Sequence, residues 1–437
     1  MKKLLLFVLT LATAVIPSFS QDLPYAREII NTLSSPEFKG RGYVDNGDRI
    51  AADYIAVEFQ KLGLNSIANS KTQAVKKGSD YFQQFNVSVN ALPGELMIKL
   101  NNNLLIPGTD YLIEAGTPGI SGNFPVKTIT RKDISVGDNA LRLLDIKTKT
   151  FILVDNRDKS GETKEHSSRT DEFIELLKHC PNKNIKGILV LTNDKLSWEP
   201  SSIENPRPVV TINKDLDVNS VTRIEIIVES TFFKKYPTQN ICGVIPGATN
   251  SDLYILVTAH YDHLGMMGKA TLFPGANDNA SGVALMLNLA KYYSVNKPKY
   301  TMVFVALGAE ELGLFGAIEF VDNPPLDLRK INFLINLDLA GTGDEGIKVV
   351  NGSIFKDKFD LLSKINTENK LLPKVEIRGE ACISDHCMFY RKGVPSFYIY
   401  TLGGINAYHD VYDRPETLPL TEFEDYCRLL IKFIDEI

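Results

Sequence analysis

The sequence predicts an α/β fold: a doubly wound, mainly parallel mixed sheet with helices on both faces, interrupted by an inserted, mostly β domain. Two observations predict it. From Asn240 onward, short continuous apolar runs alternate with stretches of helical apolar spacing, an alternation that builds a parallel sheet covered on both sides. From Leu92 to about Lys235, by contrast, strand-like runs are separated by turn residues such as Pro107-Gly108 and Pro206-Arg207-Pro208. A chain of 437 residues is also too long for one ordinary domain.

The elements follow in order. Lys2-Lys3, an apolar core from Leu4 to Ile16, and Pro17-Ser18-Phe19-Ser20 read as a signal peptide cut before Gln21. The other reading is an uncleaved anchor, but the run is short for a membrane span. No later segment is long and apolar enough to span. The expectation is an exported protein, periplasmic or secreted, with no stable membrane anchor. Residues 21–86 are expected to be largely helical, with helices at 24–33 and 47–62. The turn Gly40-Arg41-Gly42 lies between them. In the insert, residues 150–154 and 187–191 read as buried strands and 171–179 as a helix. His166, His179 and Trp198 each stand alone there. After Asn240, strands are expected to end at His260, Ala309, Asp338 and Thr401. Helices are expected at 281–294, 314–323, 355–369, 384–391 and 421–437.

Composition excludes some functions. Hydrophobic content of 44% and charged content of 23% are those of a soluble globular chain. The net charge is −5 and no dense basic stretch occurs, so nucleic acid is not an expected partner. Lys164, Lys178, Lys183 and Lys186 lie in polar sequence and read as a solvated face. The 5 cysteines are too few for a disulfide framework in a chain this long. Cys382 and Cys387 are close enough to bridge a loop, and read equally well as two buried thiols.

The chemistry sits at strand ends. Residues 254–259 run into His260-Tyr261-Asp262-His263, residues 300–309 into Glu310-Glu311, and residues 331–337 into Asp338. Asp278 lies in a turn that opens a helix, and Tyr408-His409-Asp410 follows the last strand. In an open α/β sheet the carboxyl ends of the strands line the ligand crevice, so these carboxylates and imidazoles suggest a metal site. Each has a plainer reading. His260 could close a strand at a polar surface, Asp278 could cap a helix, and His409 could be a solvated loop residue. Asp338 could be a turn residue. Glu310-Glu311 is the sharpest signal, because two adjacent carboxylates at the end of an apolar strand repel each other unless a cation relieves them. One could ligate metal while its neighbour serves as general base. A carboxylate such as Asp278 can give one oxygen to each of two metals, and Gly275, Ala276, Ala280 and Gly282 leave room for that. His263 and His386 are weaker candidates.

In this order, His260-Tyr-Asp262, Gly275-Ala-Asn-Asp278-Asn-Ala-Ser-Gly282, Glu310-Glu311-Leu-Gly-Leu-Phe-Gly316, Asn336-Leu-Asp338 and Tyr408-His409 resemble the motifs of the co-catalytic di-zinc aminopeptidase family. That family includes secreted bacterial leucyl aminopeptidases, aminopeptidase S, glutamate carboxypeptidase II and the inert transferrin receptor. The resemblance covers residues 21–86 and 240–437. It implies two zinc ions and a peptide substrate. His260 and Asp338 would hold one zinc, Glu311 and His409 the other, and Asp278 would bridge them. Glu310 would be the general base, Asp262 would orient His260, and Tyr408 would donate to the oxyanion. Asn277 departs from the family, which usually has an acid there. The implied domains are a signal peptide (1–20), an N-terminal part of the peptidase domain (21–91), a protease-associated-like insert (92–235) and the main peptidase part (236–437). Carboxypeptidase, glutaminyl cyclase and inactive binding protein are the competing readings. No Arg or Lys lies between Pro395 and Ala407 to meet a terminal carboxylate, which favours an aminopeptidase.

Overall fold

The computed structural model describes residues 22–67, 81–135, 144–157 and 164–437. The expected signal peptide and the side chains of Lys164 and His166 lie outside the described residues. Among those described, no helix is long and apolar enough to cross a membrane.

The frame is a nine-stranded mixed sheet. At its centre the strands Tyr300–Leu307, Asn250–His260, Ile331–Leu337 and Ser396–Leu402 lie side by side in that order, all parallel. The flanks are antiparallel. Thr231–Ile245 pairs with the 300–307 strand on one side, and Gly346–Val350 with the 396–402 strand on the other. Alternate residues of the central strands face opposite ways. Ile255, Val257, Met302, Phe304, Phe333 and Ile335 pack into the larger core, against the helices Leu23–Leu33, Gly47–Lys61, Gly282–Val295, Lys356–Asn369 and Phe423–Glu436. Leu256, Val303, Val305 and Leu334 face a second core with Phe315–Asp322 and His386–Arg391. Burial on both faces is why these strands read as continuous apolar runs.

The insert has its own eight-stranded sheet, with strands from Leu96–Leu100 to Arg223–Val228. Four of them, Ile120–Thr130, Thr150–Asp155, Ile185–Leu191 and Val209–Ile212, form a parallel run beside the helix Lys164–His179. Two long strands tie the insert to the main sheet. Phe82–Ala91 pairs antiparallel with Thr231–Ile245, which continues into the main sheet. Residues 82–86, expected in the helical stretch, are therefore strand. The period-two burial of Phe85, Val87 and Val89 is the signal for it. Residues 231–235, expected in the insert, belong to this connecting strand. Lys178 is not a solvated lysine: it is largely covered and pairs with Glu114 at 3.0 Å and Glu175 at 2.7 Å. Cys382 and Cys387 are disulfide-bonded, and the other cysteines are buried and free.

Candidate metal centre

Because the central strands are parallel, their carboxyl ends share one edge. His260 closes its strand, Glu310-Glu311 follow Leu307, Asp338 follows Leu337, and His409 lies in the loop after Leu402. Gly275 sets up the Asp278 turn. Its φ is +59°, and a Cβ there would meet the Asp278 carbonyl oxygen and the His263 ring within 2.3 Å, so only glycine fits. Ala309 and Leu339, which adjoin site residues, and His409 itself have positive φ of 56°, 60° and 53°. Left-handed non-glycine residues cost of order 1–3 kcal/mol each and gather at functional sites.

The side chains converge on Asp278. Its Oδ1 lies 3.3 Å from His260 Nε2, and its Oδ2 lies 3.2 Å from His409 Nε2. His260 Nε2 also lies 3.4 Å from Asp338 Oδ1, and His409 Nε2 lies 3.2 Å from Glu311 Oε2. Each imidazole thus faces the shared carboxylate and one carboxylate of its own. Donor atoms of His260, Asp278 and Glu311 lie within 4.8 Å of one another, as do those of His260, Glu310 and Asp338. Imidazole nitrogen and carboxylate oxygen suit zinc. Asp262, Asp278, Asp338, Glu310 and Glu311 together outweigh the histidines in charge, an imbalance that divalent cations would relieve.

Electrostatics separate the carboxylates. Burial pushes the Glu310 carboxyl well up, and Asp385, Glu311 and Asp338 add to that against the pull of His260. Burial also opposes ionisation of Asp278 and Glu311, yet their histidine neighbours hold both low, Glu311 at about 2. Of these three, Glu310 alone has its carboxyl pushed up, and its side chain is only partly buried.

The structure adds contacts around these residues beyond those expected from sequence. The Asp262 carboxylate stands 3.9 Å from His260 Nδ1, whereas its backbone oxygen is nearer, at 3.2 Å. The carboxylate instead accepts the backbone N–H of Glu310 at 3.0 Å and of Glu311 at 3.3 Å. Asp262 holds the Glu310-Glu311 corner, and its main chain faces the imidazole. His263, left unassigned from sequence, reaches Glu311 Oε1 at 2.8 Å. His386 is buried against the Tyr398 ring, 5.4 Å between centroids. Tyr408 is half-exposed and stacks on His409 at 4.0 Å. Asn277 accepts the Gly341 N–H at 2.9 Å, tying the Asp278 turn to the chain after Asp338.

Other supports were not found from sequence. Ser384 donates to Asp338 Oδ2 at 2.9 Å and accepts from Asn336. Asp413 accepts the backbone N–H of Asn277 and of Asp278 at 2.8 and 2.9 Å. Arg41 is fully buried and donates to the carbonyls of Leu33, Tyr261, Pro274, Gly275 and Asp278. Asp385 is buried with neither oxygen hydrogen-bonded among the described residues, and burial lifts its carboxyl to about 8. Arg378 reaches the Tyr400 hydroxyl at 3.0 Å. It lies outside the 395–407 stretch in which a carboxylate-binding cation was sought.

The profile of peptidase family M28 matches residues 240–434. The chain is 27% identical over 238 residues to the aminopeptidase YwaD of Bacillus subtilis, which covers 51% of this chain and 50% of that one. A probable zinc metalloprotease of Pyrenophora tritici-repentis is 35% identical over 133 residues, 27% of this chain and 30% of that one. The chain thus spans half the length of the first and under a third of the second. Among solved structures, a zinc aminopeptidase from Bacillus subtilis superposes with a TM-score of 0.67 at 20% identity, covering 94% of each chain. A peptidase M28 precursor from Shewanella amazonensis gives 0.68 at 17% identity, covering 95% of this chain and 93% of that one. At these identities the likeness is one of fold, and it takes in the insert.

Proposed function

We propose that the chain, whose residues 240–434 match the profile of peptidase family M28, is an exported di-zinc aminopeptidase that removes N-terminal residues from peptides. One observation carries the metal part: the two oxygens of Asp278 face different histidines, at 3.3 and 3.2 Å. In this reading His260 and Asp338 hold one zinc, Glu311 and His409 the other, and Asp278 both. Bound there, zinc supplies Lewis acidity, lowering the pKa of a water and polarising a carbonyl.

The protein's own groups do the rest. Glu310, partly exposed and with a raised carboxyl pKa, takes the water proton and returns it to the leaving amine. Asp262 fixes Glu310 through its backbone N–H. The Tyr408 phenol, whose pKa is pushed up by burial and nearby carboxylates, stays protonated and can donate to a developing oxyanion. The substrate's α-amine suits the acidic edge. Export is supported by the signal pattern of residues 1–20. The insert, a separate sheet between residues 96 and 228, is read as a protease-associated domain.

A panel of aminoacyl chromogenic substrates, assayed with and without chelator, tests the reading. Chelator-sensitive release of the chromophore supports it. No hydrolysis of any member after zinc reconstitution would leave the binding-protein alternative.

A further inference from the structure

We infer that the inserted domain is part of the metal centre: Lys195 and Trp198 are positioning residues that clamp the loop carrying His409. The inference rests on the di-zinc reading above. Residues 403–411 form no regular element, and the loop begins with Gly403 and Gly404 in positive φ. Such a loop does not fix a ligand by itself.

The insert supplies the missing constraints. Lys195 Nζ lies 2.8 Å from the carbonyl oxygen of Asn406, 2.9 Å from that of Tyr408 and 2.6 Å from Asp410 Oδ2. The backbone N–H of Trp198 donates to the carbonyl oxygen of His409 at 2.9 Å. Acceptors before, at and after His409 are therefore held from the insert. Trp198 is itself anchored. Its Nε1–H donates to Ile113 at 2.6 Å within the insert, and its ring stacks on Phe273, 4.7 Å between centroids. Phe273 belongs to the strand that leads to the Asp278 turn. One insert segment thus braces the chain on both sides of the His409–Asp278 pair.

His409 has reason to need this. Metal-binding histidines are usually oriented by a partner on the other ring nitrogen. The buried Nδ1 of His409 has none among the described residues, so its ring is aimed by the main chain and by Tyr408 stacked against it. That main chain is left-handed, with φ of 53°, and persists only where its surroundings over-determine it. The Asp410 carboxylate is nearly covered, and Lys195 is the cation paired with it.

The test is zinc affinity, measured at both sites by competition with a chromophoric chelator on the full chain. Lys195→Met should weaken one of the two zincs by about 10–100-fold, the range for loss of a residue that orients a ligand. It should leave the other within about threefold, at the scatter expected of context effects. Lys195→Arg should recover most of the loss, and Asp410→Asn should reproduce it. Lys214→Met breaks a different insert ion pair, with Asp110, and should leave both zincs unchanged. Two zincs held with wild-type affinity in Lys195→Met, or an equal loss in Lys214→Met, would overturn the inference alone. A wild type that binds no metal pair would overturn the di-zinc reading and this inference with it.

Discussion

His263 Nδ1 lies 2.8 Å from Glu311 Oε1, which leaves Oε2 of the same carboxylate facing His409 at 3.2 Å. A histidine three residues beyond the end of the 250–260 strand thus steers a carboxylate from the turn after the neighbouring strand. His263→Phe keeps a ring in the space but removes the nitrogen. The zinc assigned to Glu311 and His409 should bind about 10–100-fold more weakly, as for other partners of metal ligands. Chelator competition reads this directly, and unchanged affinity would mean that Glu311 is aimed by other contacts.

The Glu310 backbone N–H is held by Asp262, and in the proposed reading its carboxylate is the base and not a zinc ligand. Glu310→Gln should keep the metal content and lose about 10²–10⁴-fold in kcat, the usual contribution of a general base. Metal analysis beside kinetics separates the two. Near-normal turnover would move the proton-transfer role elsewhere, with Asp385 the first residue to examine.

Asp278 touches both histidines. Asp278→Ala should therefore weaken both zincs together, where a change at Asp338 or His409 should weaken one. A variant that titrates with two tight zincs would show that the carboxylate does not bridge.

Away from the site, Asp48 makes stability depend on pH. It is buried beneath Tyr236 and Thr238, which hydrogen-bond its carboxylate at 2.8 and 2.9 Å. Burial nonetheless raises its pKa from 3.8 to about 6. The folded state therefore holds this proton more tightly than the unfolded state. The associated stability is complete below 3.8 and lost as pH rises through about 6. Two pKa units correspond to about 3 kcal/mol. Asp48→Asn cannot titrate, so it should gain on the wild type between pH 4 and pH 8 in denaturation midpoint. A wild-type-to-variant difference that stays constant over that range would show that Asp48 is not shifted.

Of the residues proposed as ligands, His260, Glu311 and Asp338 stood out in the sequence because they lie at or just past the ends of strands buried on both faces, which read as apolar runs. The helices of the main part were legible to within a residue or two for the same reason. The strands 346–350 and 375–377 were not, being short and at the sheet's flank. Arg41, Ser384 and Asp413 escaped because what they hold is distant in sequence: Arg41 bonds to Asp278 across 237 positions. Trp198 read as isolated because its partners, Ile113 and Phe273, are assembled only by the fold. Asp262 was assigned to His260 by proximity along a strand; its carboxylate lies 3.9 Å from His260 Nδ1, and its bond to the Glu310 backbone was not legible because it crosses 48 positions.

Zinc-dependent attack from the peptide's N-terminus is told apart from attack at the C-terminus by one assay. A single peptide is offered free at both ends, N-acetylated, and C-amidated, each with and without chelator. The free and amidated forms should be trimmed from the N-terminus, the acetylated form should survive, and chelator should stop all cleavage. Cleavage of the acetylated form with survival of the amidated one would contradict it. That outcome would point to capture of a terminal carboxylate, with Arg378 beside Tyr400 as the cation to test.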